Sequence, residues 1–269
     1  LAGRIGGFAL MRLRLYRIAP WLHYGWRESR RQEIARLTAP SFASLAFPVG
    51  NALNIQGMQL LVGMVLGPAS VVAFTAIRTL SRLAMQPMNI VNRLIQPELS
   101  LAYGGRDQDL FRRLFRRSCQ VTLWGGVAAG AALGVAGGKI IDVWTDGNIA
   151  VDWPLYLLLL VAAVANSLWY TALMVPYATN RHARIAMAYC LVYGLAAFAF
   201  AYAGSKTLGL AGVGAALLLT EIAMAAYVLP IAWRLSDERG HTWFVKVAQP
   251  PWFLLGWFRQ RPEPPEKSD

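Results

Sequence analysis

The sequence predicts an all-α fold, a polytopic membrane bundle of about six transmembrane helices. Three observations predict it. Of 269 residues, 56% are hydrophobic and only 15% are charged, and the mean hydropathy is +0.40, well above the soluble average. Apolar stretches recur at the length of about 20 residues that a bilayer core requires. The basic residues gather in alternate connections between those stretches, as expected of a multispan chain.

In chain order, the opening LAGRIGGFALM reads as the end of an apolar helix. The chain is therefore expected to be a fragment of a longer protein. A basic connector follows, with Arg27, Arg30, Arg31 and Arg36. Helix A is predicted over about Ser41–Leu66, helix B over Ala69–Tyr103 and helix C over Ser118–Val143. Helix D is predicted over Trp153–Tyr177, helix E over Ala183–Ala203 and helix F over Leu210–Trp233. Pro48, Pro87 and Pro97 should each kink or end a helix. Gly209, Gly212 and Gly214 open helix F and permit close helix contact. Residues 1–38 form the preceding helix end and connector, 39–235 the six-helix lobe, and 236–269 a basic, aromatic tail. Its end, RPEPPEKSD, is expected to be disordered.

The loops give a topology. Arg106, Arg112, Arg113, Arg116 and Arg117 lie between helices B and C, and Arg181 and Arg184 between D and E. Arg234, Arg239 and Lys246 follow helix F, whereas the opposite loops carry Lys139 and Lys206. The positive-inside rule places the basic side, and both chain ends, in the cytoplasm. Within DLFRRLFRRS, Leu110, Phe111, Leu114 and Phe115 form one face and arginine pairs the other. This segment and the aromatic tail read as anchors to anionic membrane lipids.

Charge inside the spans is the main functional signal. An arginine at mid-membrane costs about 2.5–3.5 kcal/mol on insertion scales. At about 100° per residue, Arg78, Arg82, Gln86, Asn89, Arg93 and Gln96 share an arc of roughly 80° on helix B. Such a stripe suits a path for something anionic. Arg93 lies near the cytoplasmic end, where it can snorkel to lipid phosphates. Helix A carries Asn51, Asn54, Gln56 and Gln59, either as glue between helices or as a second cavity wall. Glu221, within helix F, is a candidate coupling residue or the buried partner of an arginine. In helix D, Asn166 and Tyr170 read as packing residues.

Other function classes lack support. The net charge of +12 is spread between apolar segments and does not form one soluble face, so no nucleic-acid partner is expected. His23, His182 and His241 lack metal-ligand spacing, and no P-loop, GxGxxG or GxSxG occurs. No cofactor, metal site or enzymatic activity is expected. Cys119 and Cys190 both fall in apolar helices, with no disulfide framework.

Several stretches together resemble a known family. They are the polar helix with Pro48 and Asn51, then LVGMVLGPASVVAFTAIRTLSRL, RLIQPELSLAYGGRDQDLFRRLFRR and GLAGVGAALLLTEI. From about Arg27 to Arg234 the chain resembles the C-terminal half of an O-antigen type polysaccharide flippase. That family sits in the multidrug/oligosaccharidyl-lipid/polysaccharide exporter superfamily. The resemblance implies one lobe of a two-lobe transporter in the bacterial inner membrane, with an N-terminal six-helix lobe as partner. It implies a lipid-linked oligosaccharide as cargo, its undecaprenyl pyrophosphate meeting Arg78 and Arg82. The alternatives are a multidrug efflux antiporter of the same superfamily, a membrane glycosyltransferase or O-antigen polymerase, and a non-transporting assembly subunit. The arginines disfavour the first, and short outer loops disfavour the enzymes.

Overall fold

The structure, a computed structural model, describes residues 2–18 and 45–251. It is all-α over these residues. The basic connector, the first residues of helix A and the tail beyond Pro251 lie outside the described residues. The chain divides into two units, Leu1–Phe42 and Ala43–Asp269. Of the first, helix α1 (Ala2–Ile18) is described.

The second unit contains α2 (Leu45–Leu66), α3 (Pro68–Leu83), α4 (Gln86–Gly104) and α5 (Gln108–Trp144). It continues with α6 (Trp153–Ala178), α7 (Ala183–Leu208) and α8 (Leu210–Leu235), and ends with the short α9 (Gly240–Ala248). Among the described residues five helices, α2, α5, α6, α7 and α8, are long and apolar enough to cross a membrane. The chain is a multi-pass membrane protein.

Helix boundaries follow from local chemistry. Gly67 takes φ 87° and Gly209 φ 59°, a region that costs other residues strain, and each separates two helices. Gly209 is thus a turn residue and not a packing contact. Asp107 and Asp152 accept hydrogen bonds from the amides of Leu110 and Leu155, at 2.9 and 3.0 Å, and so cap α5 and α6.

The predicted helix B is not one helix. It breaks at Ala84–Met85, and Pro87 falls in the first turn of α4. Proline there costs nothing, whereas inside a continuous helix its ring would meet the carbonyl of Leu83. Each half is short or polar for a span, at 16 and 19 residues. Pro97 lies inside α4 without ending it. Helix C, by contrast, is longer than predicted. The arginine-rich segment is its first part, so α5 runs 37 residues, about 55 Å at 1.5 Å per residue.

Helix α6 is central, packing on α3, α4, α5 and α8. Its apolar window is 61% buried, the highest of the five. Small residues let α5 approach it. Gly126 faces Ser167, Gly130 faces Val164 and Gly134 faces Leu160. Helices α7 and α8 meet backbone to backbone, where a Cβ on Gly204 would lie 2.7 Å from the Gly212 carbonyl oxygen. Helices α2, α3, α6, α8 and α7 each pack on the next, and α7 returns to α2, closing a ring.

Two apolar clusters fill the bundle. One joins Met58, Phe74, Ile77, Tyr156 and Val213. The other joins Phe111, Phe115, Trp169, Tyr193, Val228 and Trp243. The second corrects the expectation of a lipid-facing surface on Phe111 and Phe115, since both are fully buried. Helix α9 covers them: Trp243 stacks on Phe115 with ring centroids 5.5 Å apart. Arg112 and Arg116 pair with Asp237 and Glu238. Gln120 and Trp124 donate to the Gln249 carbonyl at 2.6 and 3.0 Å. An amphipathic pattern shows that one face is apolar, but not whether lipid or protein meets it.

Candidate functional site

Inside the ring of helices is a cavity of about 380 Å³, within the range of small-molecule sites. Asn51 and Asn54 line it from α2, Arg78, Ser81 and Arg82 from α3, and Asn89 from α4. Asn166, Trp169 and Tyr170 line it from α6, Tyr189 from α7 and Glu221 from α8.

Arg78 is buried, 7% exposed, yet has no carboxylate partner among the described residues. One terminal nitrogen donates to the Asn54 backbone carbonyl at 2.8 Å and the other to the Asn54 side-chain oxygen. The guanidinium also lies 5.4 Å from the Phe74 ring centroid, a cation–π contact. The carbonyl is presented by a π turn, Leu53–Gly57, within α2. A π turn widens the helix and recurs at functional positions. A second π turn, Val192–Ala196 of α7, packs beside it. Arg78 also lines the cavity.

Arg82, one turn further on, is half-buried and has no hydrogen bond or ion pair among the described residues. A cation with no partner among the described residues, beside a second cation pinned by neutral acceptors, is an arrangement for an anion.

Glu221 is also 7% exposed. It forms no ion pair with Arg78 or Arg82, which removes the direct arginine pairing that was one of its two readings from sequence. Neutral donors hold it instead. Asn166 Nδ2 and Trp169 Nε1 both donate to its Oε2, at 2.9 and 2.7 Å. The buried Tyr193 hydroxyl lies close enough to interact with this carboxylate, but closes no hydrogen bond of acceptable geometry.

Of the residues predicted from sequence, Arg78, Arg82, Asn51, Asn54, Asn89 and Glu221 come together around the cavity. Gln59, Gln86 and Arg93 do not line it. Gln59 Nε2 donates to Thr75 Oγ1 at 3.4 Å, joining α2 to α3. Gln86 and Arg93 are exposed on α4, because the break at Ala84–Met85 interrupts the 100° phase that placed them on the arginine stripe. The residues read as packing in α6, Asn166 and Tyr170, belong to the wall. Tyr189 was missed altogether. The available signal was the i, i+4 spacing of Tyr189 and Tyr193, and the need of Glu221 for buried donors.

Comparison of the chain with protein-family models, curated proteins and solved structures gives no significant match.

Proposed function

We propose that this chain belongs to a flippase that moves an undecaprenyl-pyrophosphate-linked oligosaccharide across a bacterial inner membrane for surface polysaccharide synthesis. The observation that carries the reading is the pair of arginines on the wall of a cavity ringed by membrane helices. A pyrophosphate crossing hydrocarbon must exchange water for other donors. Arg78, held in place by Asn54, and Arg82, without a partner among the described residues, supply charge-assisted hydrogen bonds of about 1.5–3 kcal/mol each. Asn51 and Asn89 extend the polar wall toward the sugars, while the polyprenyl chain stays in lipid.

In this reading the six helical passes, with α3 and α4 together counting as one, pair with an N-terminal six-helix lobe. The two lobes rock between inward- and outward-open states, binding the anion unequally in each. Both chain ends are cytoplasmic. Exposed Arg113, Arg181 and Arg184 face anionic lipid heads. A multidrug antiporter fits less well, since a cation meets two arginines and a single carboxylate here.

The test is surface polysaccharide in cells that depend on this protein. Arg78→Ala and Arg82→Ala should each cut export strongly while the protein remains in the membrane. Lysine should restore part of it, because it keeps the charge but loses the planar fork. Arg93→Ala should export normally. Normal export by both alanine variants would refute the proposal.

A further inference from the structure

Glu221 is unused by the anion-binding reading. Both of its donors, Asn166 and Trp169, converge on one oxygen, Oε2. Among the described residues no hydrogen bond reaches the other oxygen, Oε1, and the Tyr193 hydroxyl near the carboxylate closes none of acceptable geometry. The residue lines the cavity. Among the described residues the carboxylate is therefore fixed at one oxygen and keeps acceptor capacity on the other. Around it the wall is aromatic. Trp169 and Tyr170 meet edge to face at 5.8 Å, and Trp169 and Tyr189 lie 6.0 Å apart. Arg78 and Arg82 line the same cavity.

Phosphate oxygens cannot use an acceptor of this kind, because they are acceptors themselves and are repelled by a carboxylate. A group that offers O–H or N–H donors on one edge and C–H on its faces can use it. Sugar rings have that chemistry: hydroxyls around the rim and apolar faces that lie on aromatic rings. We infer that Glu221 reads the sugar of the cargo, accepting a hydrogen bond on Oε1 from the residue next to the pyrophosphate. Tyr170 and Tyr189 flank that sugar and the arginines hold the phosphates. The inference rests on the flippase reading and deepens it. It makes the cavity a two-part site that distinguishes a glycosylated lipid carrier from a bare one.

Glutamine is a sharp probe of this geometry. Asn166 and Trp169 are both donors, so a glutamine at 221 must turn its carbonyl oxygen toward them. Its NH2 then faces the cavity, and an acceptor becomes a donor without change of shape. The test measures binding to the chain in lipid nanodiscs of two probes, undecaprenyl pyrophosphate with one hexose and the same lipid without sugar. Glu221→Gln should weaken the hexose-bearing probe relative to the bare lipid by about tenfold or more, and should not weaken the bare lipid, whose phosphates lose a repelling charge. Arg78→Gln should weaken both.

A third probe, with the hexose O-methylated, needs no variant of the protein. The wild type should bind it about as weakly as Glu221→Gln binds the unmodified hexose, and Glu221→Gln should be indifferent to methylation. Equal losses on all probes, or no loss, would overturn the assignment. So would a Glu221→Gln protein that keeps full discrimination but loses only the pH dependence of transport, which is the outcome for a purely ion-coupling carboxylate. If the wild type binds neither pyrophosphate lipid, the flippase reading itself fails. If it binds both equally, only the sugar-reading role does.

Discussion

Removing Trp243 should detach α9 from the bundle. This helix has nine residues, below the length at which isolated helices persist in water, so docking keeps it folded. Trp243 is fully buried, stacked on Phe115 and tilted against Trp233, with both centroids at 5.5 Å. A buried tryptophan removes about 200 Å² from water, worth at most about 5 kcal/mol at 25 cal/mol per Å². Truncation of large aromatics costs about 3–5 kcal/mol. The indole N–H has no partner among the described residues, and relief of that orphan donor returns about 1 kcal/mol. About 2–4 kcal/mol remains, and each 1.4 kcal/mol is tenfold in an equilibrium. Trp243→Ala should therefore speed hydrogen exchange at the α9 amides roughly 30- to 700-fold. Trp243→Phe keeps an aromatic ring on Phe115, sheds the unpaired donor together with part of the indole volume, and should change exchange by less than about tenfold. An alanine effect below about fivefold would show that α9 is not held by this contact.

The two ion pairs that fasten α9 should differ in weight. The Glu238 side chain is 6% exposed and the Asp237 side chain 82%. Glu238→Gln should cost about 2 kcal/mol and Asp237→Asn less than about 1 kcal/mol, read from thermal unfolding; the reverse order would be evidence against the packing. Burial holds the His182 imidazole, stacked on Tyr177 at 4.4 Å, below its ordinary value of 6.5. The unfolded chain then binds the proton more tightly. Stability is complete above about pH 6.5 and falls as pH drops toward the lowered folded value. His182→Phe keeps the stacking and should flatten the acid side of the unfolding profile, whereas unchanged slopes would exclude this group. Finally, if α3 and α4 together cross the membrane, single cysteines at Gly67 and Gly147 should label from one side, and those at Arg106 and Arg113 from the other. Labelling of Gly67 and Arg106 from the same side would reduce the crossings to five.

Much of the site was legible because helix geometry is local. The 100° rule brought Arg78 and Arg82 together, and the polar residues of helix A pointed to Asn51 and Asn54. The same rule misplaced Gln86 and Arg93, since it assumes an unbroken helix and Ala84–Met85 is a break. Pro87 signalled a disruption but not its effect on phase. Glu221 stood out as a buried charge, yet its partners did not. Which helix faces which is a tertiary property, and nothing in the local pattern of α6 or α7 ties Asn166, Trp169 or Tyr189 to α8. The π turn that frees the Asn54 carbonyl for Arg78 likewise has no local signature in LNIQG. For the tail, lipid anchoring and docking on α5 require the same alternation of apolar and basic residues.

The most direct test is whether the arginine wall selects a pyrophosphate lipid. The chain in nanodiscs, titrated with undecaprenyl pyrophosphate and with the uncharged alcohol undecaprenol, reports charge recognition alone. The wild type should prefer the pyrophosphate by about a hundredfold, as two charge-assisted contacts imply. Arg78→Gln with Arg82→Gln should erase the preference and leave undecaprenol binding unchanged. A preference that survives the double substitution, or none in the wild type, would contradict an anion path along α3.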